Sequence, residues 1–347
     1  MTDGAGGWQG GDGPAARRPT MRDVADAAGV SKALVSMIFR GAHGPSEATR
    51  ARVLAVAEQI GYRTNRTASL LALRRSKHLG VTMVVRSTFH AELVEAVQAA
   101  ADEIGYQIVL STVSRTHDER RAVETLLEFR CEALLLLGPE LPTAELTALA
   151  QQVPVVVIGR RMPPRRLDVV RVAEDQGMRQ VVDHLVGLGH ERIAYVDGGA
   201  GTIAADRRRG YQGAMRAHGL DGQTAMFRGG STEEDGMAAG EQLLTAPRLP
   251  TAVAAFNDHC AVGVLDRLSR AGVGVPEAVS VAGYDDSPIS RLAHIDLTTV
   301  SQEPQEQARL AVRAAVDRLD GLRAGPRDTV LSPRLVPRGS TGEPRAD

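Results

Sequence analysis

Apolar residues recur at helical spacing up to about residue 61 and in short aliphatic runs beyond residue 78. The first pattern predicts three short helices. Val24, Ala27 and Ala28 share a face of the first. Thr20 and Asp23 have capping-box spacing, and Gly29 is the residue type that ends a helix in the left-handed conformation. Ser31 caps a second helix running from Lys32 to about Phe39. Leu34, Val35 and Ile38 form its apolar side, while Lys32, Ala33, Ser36, Met37 and Arg40 form the other. Pro45-Ser46 opens a third, with Val53, Val56, Ala57 and Ile60 at i, i+3, i+4, i+7 and Gly61 as its stop. The connection Ala28-Gly29-Val30-Ser31 is too short for antiparallel packing and predicts the near-perpendicular pair of a helix-turn-helix. A short helix with one small or basic side suits a DNA major groove about 12 Å wide.

The second pattern alternates strands and helices. Predicted strands begin near Leu79, Gln107, Ala133 and Val153, with helices between them. The alternation restarts with a helix near Asp175, and strands follow near Arg192, Ala225, Ala252 and Val279. A last predicted helix spans Gln302 to Leu322, and a last strand Thr329 to Leu335. Aliphatic runs bounded by Gly and Pro, alternating with helices, predict an α/β fold with parallel sheets covered on both faces. Two similar halves imply two lobes and a cleft. Ligands of such sheets bind beyond the carboxyl ends of the strands.

With 347 residues, the chain suits two or three domains. Net charge is −1, but it is unevenly spread. Residues 1–80 hold twelve Lys and Arg against six Asp and Glu; the rest holds 29 against 36. A basic front on an acidic body concentrates attraction for phosphate at one end. Cys131 and Cys260 read as buried thiols of a cytoplasmic protein. No apolar run of eighteen residues predicts a membrane span, and no signal segment precedes the first helix. Residues 1–18 are Gly-rich and read as a disordered tail.

Met21-Arg22-Asp23-Val24-Ala25, Ala28-Gly29-Val30-Ser31, Val35-Ser36 and Asn65-Arg66-Thr67-Ala68-Ser69-Leu70-Leu71 resemble the DNA-binding head and hinge of the lactose/galactose repressor (LacI/GalR) family. Further on, His184-Leu185, Leu188-Gly189-His190, Arg207 before Gly210-Tyr211, Phe256-Asn257-Asp258, Gly283-Tyr284-Asp285-Asp286 and Leu297-Thr298-Thr299-Val300 stand in that family's order and spacing. The resemblance covers about residues 19–341. It implies a head at 19–63, a hinge helix and linker at 64–77, and a two-lobed, periplasmic-binding-protein-like effector and dimerisation domain at 78–341. The first lobe is expected at about 78–173 and 301–327, the second at about 174–300 and 328–341, and a short tail at 342–347.

The resemblance also implies roles. Lys32, Ala33 and Met37 would read bases, with Met37 standing where the family often has arginine. Thr20, Ser31, Ser36, Arg40, Ser46, Asn65 and Arg66 would contact phosphate and set register. Two hinges would pair in the minor groove, with Leu71 wedged between base steps and the small Ala68 allowing close approach. Phe89, Arg160, Arg207, Asn257 and Asp285 would bind a small effector, a sugar or sugar derivative, between the lobes. The implied partners are a pseudo-palindromic operator, a second copy of the chain and the effector; no cofactor, metal or catalytic group is expected. Purely structural roles stand beside these: Arg207 paired with Asp206 or another acid, Asp285 capping a turn, Phe89 in the core.

Two other functions compete. Gly199-Ala200-Gly201-Thr202-Ile203-Ala204 has G-x-G-x-x-A form and would suit a nicotinamide-dependent oxidoreductase, but no acid ends a second strand about twenty residues on. The body alone would fit an exported sugar-binding protein. Leu335-Val336-Pro337-Arg338-Gly339-Ser340 spells a thrombin site, and slow clipping there is expected.

Overall fold

The computed structural model describes residues 19–39, 44–62, 75–163, 167–323 and 325–345. The chain divides into two units, residues 1–75 and 76–347. Arg40, Asn65, Arg66, Ala68 and Leu71, and with them residues 64–74 of the expected hinge and linker, lie outside the described residues.

In the first unit the helices are Met21–Ala28, Lys32–Phe39 and Glu47–Gln59. The capping box forms: the Asp23 backbone N–H donates to Thr20 Oγ1, and the Thr20 N–H donates to the Asp23 carboxylate at 2.6 Å. Gly29 takes φ +63, and the Val30 N–H donates back to the Ala25 carbonyl. These bonds fix the angle between the first two helices, because they satisfy end groups that would otherwise be unpaired. Val24, Ala25, Ala28, Val35, Ile38, Val53 and Ala57 form the core. Ala27, expected inside, is exposed, and Ala25 is buried instead. Both fit helical spacing, and the positions of the second and third helices, which share the core, decide between them.

The second unit holds two lobes. In the first, β1 (His78–Val84), β2 (Gln107–Val113), β3 (Ala133–Leu137), β4 (Val155–Ile158), β5 (Asp168–Val172) and β11 (Asp328–Leu331) form one parallel sheet in the order β11-β5-β4-β3-β1-β2. Helices Thr88–Glu103 and Pro304–Leu319 cover one face; Glu119–Glu128 and Thr143–Leu149 cover the other. Every side chain of β3 and β4 is therefore buried. In the second lobe, β6 (Ile193–Asp197), β7 (Ala225–Arg228), β8 (Ala252–Ala255) and β9 (Ser280–Ala282) pair in parallel in the order β7-β6-β8-β9. Helices Glu174–Gly187 and Thr202–Ala217 cover one face, Glu233–Leu244 and Asp258–Arg270 the other.

Two features depart from the expected pattern. β5 carries Asp168 and Arg171 inside a fully buried strand. Their charges are met from far along the chain: Arg171 forks onto Asp328 at 2.8 and 2.9 Å, and Asp168 accepts from Arg323 at 2.7 Å. The expected last strand is two. β11 joins the first-lobe sheet, so residues 328–331 belong there and not to the second lobe. The chain then breaks at Pro333, which has no N–H for a ladder. β12 (Arg334–Val336) resumes antiparallel to β10 (Thr299–Ser301). The expected tail is also anchored at its start, where Gly342 bonds both Ser280 and His190. The chain thus crosses between lobes three times, at 172–174, 301–304 and 331–334.

Candidate functional site

A cavity of about 290 Å³ lies between the lobes, beyond the carboxyl ends of the strands. Its inner wall is built on Arg207, from the helix Thr202–Ala217. Arg207 is 3% exposed. Its Nε donates to Glu174 at 2.8 Å, Nη1 to the Phe256 carbonyl at 2.5 Å, and Nη2 to Asp285 at 3.2 Å. The guanidinium lies 3.6 Å from the Tyr284 ring centre and 4.7 Å from that of Phe256. Gly177 makes this stacking possible, since a Cβ there would meet the Tyr284 hydroxyl at 2.1 Å.

Burial raises the pKa of both Glu174 and Asp285, and Arg207 pulls each part of the way back. Burial also works against the Arg207 charge, but the two carboxylates outweigh it and hold its pKa above the usual value. Arg207 thus pairs with distant acids. Asp206, its neighbour, goes to Arg209 and, at 3.4 Å, to Arg161 across the cleft.

Asp285 has φ +111, and its Oδ1 also accepts from Gln302 at 2.7 Å. Gln302 sits in the crossover before the helix Pro304–Leu319, so this bond ties the wall to an interlobe connection. Behind it Asp258 is fully buried and accepts from Ser287 and Thr299. Asn257 caps the helix Asp258–Arg270: its Oδ1 accepts the Cys260 N–H at 2.9 Å, and Nδ2 donates to the Ser231 carbonyl at 3.1 Å.

The first lobe supplies the opposite wall. Phe89 lines the cavity and packs on the first-lobe core, so both of its expected roles are compatible. His90 and Thr88 line it too. Ile203 projects from the second lobe over Gly138 and Gly159, whose added Cβ atoms would lie 3.9 and 3.7 Å from its Cδ1. Both glycines have positive φ at the ends of β3 and β4.

Phe89, Arg207, Asn257 and Asp285 therefore meet around one cavity. Arg160 does not join them. Its Nη1 donates to the Pro139 and Leu141 carbonyls at 3.0 and 2.6 Å, clamping the loop after β3. Sequence reasoning passed over Glu174, Gln302, His90, Thr88 and His259. Gln302 alone had a signal, two residues beyond Leu297-Thr298-Thr299-Val300. The stretch Gly199–Ala204 has a local explanation: Gly199 takes φ +96, Gly201 precedes the helix as its cap, and Ile203 closes the cleft. In the head, Lys32 and Ala33 are exposed at the start of the second helix, and Ser36 and Met37 are half-buried. Ser31 and Ser46 accept the N–H of Leu34 and Thr49 as helix caps.

Residues 20–65 match the family of bacterial regulatory proteins, lacI family, and residues 182–341 match the periplasmic binding protein-like domain. The HTH-type transcriptional regulator GalR of Salmonella typhimurium (strain SL1344) is 34% identical over 335 residues, covering 94% of this chain and 96% of GalR. The chain belongs to the lacI family. This LacI-family chain is accordingly a DNA-binding transcriptional regulator. Its structure is similar to the lac repressor dimer bound to operator and the anti-inducer ONPF, with TM-score 0.82 and 27% identity over 94% of this chain and 100% of that one. It also resembles the transcriptional regulator CelR–cellobiose complex, with TM-score 0.68 and 30% identity over 93% and 100%.

Proposed function

We propose that this LacI-family regulator is a cytoplasmic repressor that binds a pseudo-palindromic operator as a homodimer and is controlled by a sugar held between its lobes. The observation that carries the reading is the Arg207–Asp285–Gln302 assembly. It places donors and an acceptor on the cavity wall and links them to a crossover between the lobes. A fork of donors, an amide and a carboxylate suit vicinal hydroxyls, and Phe89 offers an apolar face to a ring. A cavity of about 290 Å³ suits one small ligand. The likeness to a cellobiose complex and to a repressor bound to operator supports the same assignment.

The mechanism is linkage. A sugar that bridges the walls favours one relative angle of the lobes, and that angle sets operator affinity. A coupling of about 1–3 kcal/mol is ordinary for such a device. Lys32 faces guanine edges in the major groove, Ala33 and Met37 make apolar contact, and Thr20, Ser31, Ser36 and Ser46 contact phosphate.

The test is operator binding by fluorescence anisotropy, with and without cellobiose, D-galactose or D-ribose. One sugar should shift the operator Kd by five- to 150-fold. Lys32→Ala should cost roughly 1–3 kcal/mol on the operator and relax preference at one base pair. A sugar that binds without changing operator affinity would overturn the linkage.

A further inference from the structure

His90 is the third residue after Ser87, the cap of the helix Thr88–Glu103, and its ring enters the cavity from the first lobe. Its Nδ1 accepts the Val84 backbone N–H at 3.1 Å. A backbone N–H can only donate, so Nδ1 carries no proton and the neutral ring must carry its proton on Nε2. No protein acceptor is found for that Nε2–H among the described residues. The ring edge lies against Gly138, where an added Cβ would meet Nε2 at 3.3 Å, so a larger residue at 138 would cover the donor. Gly138 thereby leaves Nε2 open to the cavity.

The opposite wall has the complementary character. Arg207 carries one positive charge against the carboxylates of Glu174 and Asp285, and Asp285 Oδ1 is already occupied by Arg207 and Gln302. The deep end of the site therefore carries no surplus positive charge for an anion. It offers an acceptor, Asp285, to a hydroxyl.

We propose that His90 is a specificity-determining residue, an Nε2–H donor locked in one tautomer that recognises a hydroxyl or ring oxygen of an uncharged polyol spanning the cavity to Asp285. This deepens the sugar reading above and rests on it. The two polar ends select a ligand with an acceptor at one end and a donor at the other, and they disfavour phosphorylated or carboxylated sugars. Burial moves the His90 pKa down to about 4, so the donor persists through the neutral range.

The experiment uses the full chain and three probes: cellobiose, D-galactose and D-ribose, each also as a phosphorylated or carboxylated counterpart. Binding is read by calorimetry and by the ¹⁵N-labelled histidine spectrum. The expected result is an Nε2–H tautomer in the free protein, a shift of that signal on adding a neutral sugar, and at least tenfold weaker binding of its charged counterpart. His90→Asn keeps a short acceptor for the Val84 N–H and loses the reach of Nε2. It should melt close to wild type and bind the sugar about tenfold more weakly, the loss expected for one hydrogen bond. His90→Gln, which restores a donor near Nε2, should recover part of that loss. If a neutral sugar binds wild type and His90→Asn equally, or the ring is the Nδ1–H tautomer, the inference about His90 is wrong while the sugar site stands. If no neutral sugar binds, the sugar reading fails and this inference with it.

Discussion

Thr88 Oγ1 lies 2.6 Å from His259 Nε2, joining the first turn of a first-lobe helix to the first turn of a second-lobe helix across the cavity mouth. The His259 Nδ1 meets Glu233 at 2.5 Å. The carboxylate can only accept, so Nδ1 carries a proton directed at it, and in the neutral ring Nε2 accepts the Thr88 hydroxyl. Burial raises the pKa of Glu233, but the bond from His259, a backbone hydrogen bond and the nearby charges of His259 and Arg86 together outweigh it and hold the carboxyl below its usual value. Nearby, Arg86 and Glu234 approach to 3.6 Å, both largely exposed, and add little in water. The two lobes are thus latched at the mouth and buttoned by Ile203 over its two glycines.

The latch should be measurable as a coupling. Thr88→Val and His259→Leu, singly and together in urea unfolding, should give a non-additive term of about 0.5–1 kcal/mol, the net worth of one hydrogen bond at an exposed cavity mouth. Strict additivity would mean that the latch is open in solution.

Arg207 holds the inner wall together, and removing it should cost more than an average core change. Arg207→Met leaves Glu174 buried with no counter-charge, and a loss of about 3–5 kcal/mol is expected. Adding Glu174→Gln to Arg207→Met should recover part of the loss, because it removes one of the two stranded carboxylates and leaves Asp285. Denaturant midpoints decide this. A single variant that unfolds like wild type would show that the network contributes nothing to folding.

His90 gives a pH dependence of known sign. Its folded-state pKa, about 4, lies below the ordinary value of 6.5, so the unfolded chain binds the extra proton first. Stability from this group is present above about pH 6.5 and is lost as pH falls toward 4, by up to about 3 kcal/mol. Asp258, which burial raises to about 7 from 3.8, acts oppositely, losing stability as pH rises across that window. The measurement is therefore the difference between wild type and His90→Asn at pH 7.5 and pH 5, by thermal or urea unfolding. A difference that does not change with pH would show that His90 titrates normally.

The thrombin-like stretch should resist cleavage in the folded protein, more than its sequence suggests. Arg338 is 15% exposed. It donates to the Leu297 carbonyl at 2.7 Å and to Asp286 at 2.5 Å, and its backbone N–H is held by Thr298. The protease needs this arginine free, so clipping should track local opening. Intact mass after thrombin treatment should show little product in buffer and rapid cleavage in mild urea. Asp286→Asn should speed it. Fast cleavage of the untreated native chain would contradict the docking of this segment.

Much of the architecture was readable from local chemistry. The capping box at Thr20, the left-handed turn at Gly29 and the aliphatic β3 and β4 depend on residues close in sequence, and their periodicity reports the elements directly. Where the signal failed, its cause was remote. Asp168 and Arg171 hid β5 because their partners arrive some 155 residues later. The final segment read as one strand because nothing local says that residues 328–331 pair with β5 and residues 334–336 with β10.

The site divides in the same way. Arg207, Asn257 and Asp285 were legible because they stand in motifs, and chemistry alone says what each can donate or accept. Their mutual arrangement was not. Glu174 meets Arg207 only because two helices pack closely on one sheet. His90 becomes a single-tautomer donor only because the Val84 N–H lies 3.1 Å away. Composition and spacing determined the helix-turn-helix, the α/β layers and the kinds of polar group available. Tertiary packing decided which charges cancel, which donors remain open and where the lobes touch, because those depend on distances between residues that the linear order leaves free.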